Sequence, residues 1–257
     1  MNLRRLIALA LFAALAAALS AVPFQDGETL TFNVKYGVAA AGTTTMEART
    51  STYEGNPVWY LNMSAKTHSF FDPVYKVRDK IESWWDKKSL LPYKFSKNLQ
   101  EGSYRQNRIH TFDQKGLTSH YQRWNFKNEI WKHEDLVLPF TTQDALSAIY
   151  NIRTKSLAPG SRIKMNVTSD GRSVVTDVIV QRREKVSTIF GMIDCLVVEP
   201  RLQSGTLFNQ KGKFLIWLTD DAYKIPVRIE SAITIGSFVA KLSDAKQVPY
   251  IIKYPNN

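Results

Sequence analysis

The sequence predicts a mainly β fold: one large curled antiparallel sheet, a half-barrel or barrel, with a single covering α-helix near residues 142–154. Three observations lead there. Runs of alternating apolar and polar residues recur along the chain, divided by Gly, Pro, Asn and Asp turn residues. One segment replaces that two-residue period with a helical one. Finally, FLIWLTDDAYKIPVRIESAITIGSF, from Phe214 to Phe238, reads as a long hairpin whose first arm, Phe214-Leu215-Ile216-Trp217-Leu218, is apolar on both faces. A strand of that kind needs cover on both sides, so the sheet must curl or be overlaid.

Asp220 and Asp221 supply turn chemistry to this hairpin, and Pro226 stands where a strand can begin without losing a ladder bond. The second arm places Val227, Ile229, Ile233 and Ile235 on one face. Trp84 to Phe95 follows the same script: Trp, an acid-containing turn, an apolar residue and Pro, then an alternating strand. Pro92 aligns with Pro226, Lys94 with Arg228, and Gly102-Ser103-Tyr104 with Gly236-Ser237-Phe238. Duplication of half a sheet accounts for the likeness; so does the general similarity of hairpins.

Residues 1–20 have the layout of a secretory signal. Arg4 and Arg5 precede an apolar run from Leu6 to Leu19, and Ala18-Leu19-Ser20 fits a small-x-small cleavage site. The run is short for a spanning helix, and no Cys follows it to carry a lipid anchor. The expectation is a periplasmic protein that is not a lipoprotein, with residues 21–257 forming one β-rich domain.

Leu30, Phe32, Val34 and Tyr36 alternate with polar residues as a half-buried strand. Thr43 to Thr50 reads as its partner. Gly55-Asn56-Pro57 turns the chain into Val58 to Lys66, which puts Trp59, Leu61, Met63 and Ala65 on one face. Phe70-Phe71-Asp72-Pro73 is a break carrying exposed aromatics. Tyr75 to Trp85 alternates again, with Asp79 between Val77 and Ile81 on a mostly apolar face. A carboxylate there must find a partner or a polar pocket. We expect Asp79 to face inward and to bond an Arg or Tyr of a neighbouring strand. Further strands run to Asp113 and from Leu117 to Phe126.

Thr141-Thr142-Gln143-Asp144 resembles a capping box, with Thr141 as N-cap and Asp144 three residues on. Leu146, Ile149, Tyr150 and Arg153 follow at i, i+3, i+4 and i+7, and Pro159-Gly160 ends the helix. Strands resume at Arg162, with Gly191 a turn or bulge, and Pro249 to Tyr254 forms a terminal strand or tail.

The four histidines, His68, His110, His120 and His133, form no metal-binding spacing, and no G-x-S-x-G elbow or phosphate-binding glycine loop occurs. No cofactor or metal is expected. Cys195 lies in the apolar strand Ile193 to Val198, the setting of a buried, inert thiol. The formal net charge is +11, and loss of Arg4 and Arg5 with the signal leaves +9. From Lys87 to His133 ten Lys or Arg face three acids, with eight aromatics interleaved. Aromatic faces stack on sugars or acyl chains, and cations hold phosphate or carboxylate. Export argues against nucleic acid as the partner.

GETLTFNVKYGVAAAG, YKVRDKIESWWDKKSLLPYKF, Asp144-Ala145-Leu146-Ser147 with Tyr150-Asn151-Ile152-Arg153, and WLTDDAYKIPVRIESAITIGS resemble, in that order, the bacterial exported family called domain of unknown function 3108. The resemblance covers nearly all of residues 21–257. It implies a secreted or periplasmic β-rich protein and implies no activity. At the level of fold the pattern also resembles the periplasmic lipoprotein carriers, whose curled antiparallel sheet forms a half-barrel closed by helices.

Three functional readings follow. The first is a non-enzymatic carrier or binding protein for an amphiphilic, anionic envelope molecule: lipid, lipopolysaccharide or lipoprotein. The second is a structural or interaction protein in envelope or glycan assembly. Under any of the readings a monomer is expected, with an envelope lipid or glycan, or another envelope protein, as partner. The third is a hydrolase-type enzyme. The candidate ligand-binding residues are Asp79, Arg78, Trp84, Trp85, Arg105, Arg108, Trp124 and Trp217.

Overall fold

The computed structural model describes residues 22–202, 213–232 and 237–254. The expected signal segment, and Ile233 and Ile235 of the long hairpin, lie outside them. The first eight strands are β1 (Glu28–Tyr36), β2 (Ala39–Tyr53), β3 (Asn56–Thr67), β4 (Arg78–Asp86), β5 (Pro92–Glu101), β6 (Tyr104–Asp113), β7 (Thr118–Asn125) and β8 (Ile130–Val137). Helix α1 (Ala145–Arg153) follows. The chain then returns through β9 (Arg162–Ser169), β10 (Arg172–Thr188), β11 (Gly191–Leu202), β12 (Phe214–Thr219), β13 (Pro226–Ala232) and β14 (Ser237–Lys246).

All of these strands join one antiparallel sheet in the order β8-β7-β6-β5-β4-β3-β2-β1-β14-β13-β12-β11-β10-β9. Every pairing is between chain neighbours except the seam β1–β14. The sheet is not closed. Its two edges, β8 and β9, are consecutive in the chain, and α1 lies between them in sequence. Gln143 covers part of the β9 edge through a parallel bridge to Val167. The β8 edge carries Lys132, His133, Glu134 and Asp135, charges of the kind that discourage pairing with another chain.

The curl is visible where distant strands meet. Asp170 and Gly171, in the β9–β10 turn, reach across to β5, β6 and β7. Lys97 Nζ lies 2.5 Å from Asp170 Oδ2, and the Gly171 amide donates to His110 Nε2 at 3.2 Å. The Tyr121 ring sits where a side chain on Gly171 would be, and Gly171 holds φ of +78°, so glycine is required twice over.

Helix α1 starts three residues later than its capping pattern suggested. Asp144, not Thr141, is the N-cap: Oδ1 accepts from the Leu146 and Ser147 amides at 2.8 Å, and Ser147 Oγ accepts from the Asp144 amide. Ser takes the reciprocal place usually held by Glu or Gln. The residues before it serve the sheet instead, since the Gln143 amide and carbonyl bond Asn166 and Thr168. Leu146 and Tyr150 pack with Trp85, Phe24, Leu30 and Phe32, while Ala148 and Ile152 pack with Val178, Leu196 and Ile216. The helix therefore fills the space enclosed by the curl. Arg153 ends it fully buried, with both terminal nitrogens on Glu28 at 2.6 and 2.8 Å.

The two similar hairpins correspond in three dimensions. In β4–β5 the register shifts between Trp84 and Trp85, and Trp85 pairs with Pro92. In β12–β13 it shifts between Trp217 and Leu218, and Leu218 pairs with Pro226. Lys94 Nζ stands 5.1 Å from the Trp84 ring, and the Arg228 guanidinium 4.8 Å from the Trp217 ring. Moreover, the orders β6-β5-β4 and β14-β13-β12 run the same way along the sheet.

Candidate functional site: an amphipathic cleft beneath the β10–β11 hairpin

Strand β12 has only six residues, whereas β10 and β11 extend well past it. The unpaired end of the β10–β11 hairpin folds over β13 and β14, and its tip turns at Ile189-Phe190 with Gly191 at φ of +103°. The C-terminal tail braces that tip. Lys253 and Tyr254 donate amides to the Ile189 carbonyl, and Phe190 stacks on Tyr250 at 4.6 Å. Tyr250 in turn donates to Asp221, whose Oδ1 also caps the Tyr223 and Lys224 amides, the turn chemistry foreseen for the β12–β13 loop.

Between the hairpin tip and β13–β14 lies a cleft of about 470 Å³. Val186, Ile189, Val227 and Leu242 supply apolar walls. Lys185, Arg228 and Lys241 supply cations. Arg228 and Lys241 are direct cross-strand partners, so their like charges stand side by side. Arg228 is paired with Glu230, and Glu184, at the cleft wall, with Arg182. Lys185 and Lys241 form no ion pair among the described residues. Arg228 Nε and Trp217 Nε1 are buried without a hydrogen-bond partner among those residues. An apolar floor beside unneutralised cations and spare donors suits an anionic group joined to an apolar one.

A second cavity, about 280 Å³ and almost wholly apolar, opens beside the contact of α1 with β9–β12. Ala148, Ile152, Met165, Val178 and Ile216 line it, and Phe214 stands at its wall. No cluster of three or more His, Cys, Asp or Glu among the described residues is placed to hold a metal ion.

The family described as "protein of unknown function (DUF3108)" matches residues 31–243. The chain belongs to this family. Among solved structures, this DUF3108 chain is similar to a β-barrel-like protein of the domain of unknown function DUF1849 from Brucella abortus, with a TM-score of 0.59 at 11% identity, over 87% of this chain and 98% of that one. At that identity the likeness shows a shared fold and nothing more. Lower similarity, with TM-scores of 0.37 and 0.35, links it to a Bacteroides fragilis protein of YmcC-like fold, provisionally described as exported, and to a Parabacteroides distasonis protein provisionally described as a lipoprotein. Identities are 11% and 9%; the matches cover 87% and 88% of this chain and 97% and 98% of those chains. A comparison with curated proteins gives no match.

The DUF3108 sheet scatters the residues singled out from sequence. Trp217 alone adjoins the cleft, through its ring contact with Arg228. Trp85 is completely buried and donates from Nε1 to Gln143 at 3.0 Å, which anchors the approach to α1. Trp84 points to the other side of β4 and joins Tyr53, Tyr60 and Lys94 in a surface cluster. Trp124 meets Trp131 edge-on across β7–β8. Arg78 bonds Asp72 through two nitrogens at 3.1 and 2.6 Å and so braces the β3–β4 loop. Arg105 caps the Gly102 carbonyl in the β5–β6 turn. Arg108 stands between Lys97 and Arg123 in cross-strand register.

Asp79 shares the Ser83 and Trp85 face of β4, half-buried, as its alternation requires. Its partner is not the expected Arg or Tyr. Oδ1 accepts from the Gln100 amide at 3.0 Å, and the carboxyl also bonds the Glu101 carboxyl. Sequence periodicity fixes a face but not which strand end lies opposite. Cys195 is buried as foreseen, and burial pushes its thiol pKa up to about 12. The residues that sequence reasoning missed are Lys185, Arg228 and Lys241. They lie outside the basic-aromatic segment, and only the fold-over of one hairpin brings Lys185 to the other two.

Proposed function

We propose that this chain is a non-enzymatic carrier or binding protein of the periplasm, for an amphiphilic anionic envelope molecule such as a lipid, a lipopolysaccharide or a lipoprotein. The observation that carries the reading is the cleft beneath the β10–β11 hairpin, where apolar walls adjoin Lys185, Arg228 and Lys241. Its volume of about 470 Å³ falls within the range of sites that bury small ligands, roughly 300–1,000 Å³. Two facts favour binding over chemistry. The Cys195 thiol is buried and held protonated, and both ring nitrogens of buried His110 are engaged by Ser119 and Gly171.

Native mass spectrometry with phosphatidylglycerol and with phosphatidylcholine tests the reading. Phosphatidylglycerol should be retained, and the Lys185→Ser/Lys241→Ser variant should retain less of it. A chain that takes up neither lipid, nor lipopolysaccharide, overturns the proposal.

A second reading rests on the aromatic cluster on β2–β5. Tyr53 stacks on Tyr93 at 6.0 Å, Tyr60 lies 5.4 Å from Trp84, and Lys94 covers the Trp84 ring. Such a surface suits sugar rings and an assembly role in the envelope. Loss of binding to peptidoglycan fragments in Trp84→Ala, with cleft binding intact, is the expected signature; equal binding by the variant removes the reading.

A further inference from the structure

Successive turns of an antiparallel meander alternate between the two ends of the sheet. One end of this sheet gathers the β1–β2, β3–β4, β5–β6, β7–β8 and β9–β10 turns. We propose that this end docks on the surface of an anionic lipid bilayer.

The first observation is apolar. Val38, at the tip of the β1–β2 turn, is 100% exposed, and Phe70 and Val74, in the β3–β4 loop, are each 83% exposed. Phe126 and Ile130 flank the β7–β8 turn and are also exposed. These side chains do not sit on slack chain. Asp72 accepts from Arg78 and from Thr67 Oγ1, and the Val77 amide donates to the same hydroxyl. The Tyr75 ring lies against Gly102, so the β3–β4 loop is packed on the β5–β6 turn beside it. A braced loop that holds Phe70 and Val74 in water gains nothing for its own core. Apolar tips of this kind insert readily at a headgroup boundary.

The second observation is electrostatic and independent of the first. At the same end, behind the β5–β6 and β7–β8 turns, Lys97, Arg108, Arg123 and Lys132 stand in one unbroken cross-strand row over β5, β6, β7 and β8. Like charges directly opposed in a sheet destabilise it. Asp170 neutralises Lys97, and Glu134 stands two pairs away, opposite Tyr121. Arg123 and Lys132, both exposed, form no ion pair among the described residues. Lys76 and Lys127 extend the same charge into the turns themselves. An array of cations just behind apolar tips complements an anionic headgroup layer. The opposite end also exposes apolar side chains, Val137 and Ile251, but its turns mix Asp220 and Asp221 with Lys87, Lys88, Lys115 and Lys224 and hold no unbroken cationic row.

The test is flotation of the chain from Ala21 onward with vesicles of phosphatidylglycerol mixed with phosphatidylethanolamine, and with vesicles of phosphatidylcholine alone. Binding is expected to the first and not the second, and to weaken as salt is raised. Val38→Ser/Phe70→Ser/Val74→Ser should lose about tenfold or more of the binding, and so should Arg123→Ser/Lys132→Ser. Val137→Ser/Ile251→Ser should bind as the parent does. All of these positions are at the surface, and unchanged melting temperatures verify that the variants fold. No binding to phosphatidylglycerol vesicles, or equal binding by both end variants, overturns the proposal. A chain that docks yet carries no lipid away overturns the carrier reading and leaves this one standing.

Discussion

Asp79 and Glu101 bond one another, carboxyl to carboxyl, where the start of β4 meets the end of β5. Burial pushes both pKa values up, and for Glu101 the charge of Asp79 adds to the effect. A folded-state pKa above the unfolded value means that the native chain holds the proton more tightly, so stability rises as pH falls through that window. Thermal denaturation from neutral pH down to the ordinary carboxylate range should show this gain, and Glu101→Gln should remove the Glu101 share and leave the part that burial of Asp79 supplies. Because no cation is stranded, Asp79→Ala should cost much less than the roughly 3 kcal/mol of a broken buried ion pair. A loss of that full size would show that a cation is in fact its partner.

His110 titrates in the opposite sense. Burial depresses its pKa to about 4, against an ordinary 6.5. The neutral ring accepts from the Gly171 amide at Nε2, which leaves Nδ1 to donate to Ser119. Its contribution is complete above pH 6.5 and is lost as pH falls towards 4, about 3 kcal/mol in all. Melting curves of the parent and His110→Gln should diverge less at pH 4.5 than at pH 7. Parallel curves would mean that the imidazole is solvated.

Asp144 is wholly buried, and burial raises its pKa to about 6 despite bonds from Ser83, Leu146 and Ser147. Asn caps a helix as well as Asp without carrying charge. Asp144→Asn should therefore keep or raise stability at pH 7, with the advantage fading below pH 6. Asp144→Ala loses the cap and should cost about 1–2 kcal/mol. Chemical denaturation of both variants at pH 7 decides the matter.

Arg153 and Glu28 form a buried bidentate pair, with 0% and 2% of their side chains exposed. Glu28→Ala strands the guanidinium inside the curl and should cost about 3–5 kcal/mol. Replacing both, as Glu28→Leu/Arg153→Met, should recover most of that loss. A double-mutant cycle by urea denaturation measures the coupling, and additive single costs would show that the pair is not coupled.

The sequence by itself determined the class of fold. Alternation and turn residues need no partner to be read, so most strands were legible, though not β8 or β14, as were the helix and the hairpin with Pro226 at the start of β13. The likeness of the Trp84 and Trp217 hairpins was legible too, because a repeated local script leaves a repeated local pattern. What lay beyond reach were the pairings between distant segments. The N-cap moved from Thr141 to Asp144 because the β9 edge took up the backbone of Gln143, a competition with no local signature. Asp79 met Glu101 rather than a cation because register decides which strand end stands opposite. Lys185 and Lys241 came together because β12 is shorter than its neighbours, which lets a hairpin fold over the sheet. Period two tells a residue which face it occupies; only the closed path of the chain decides what that face meets.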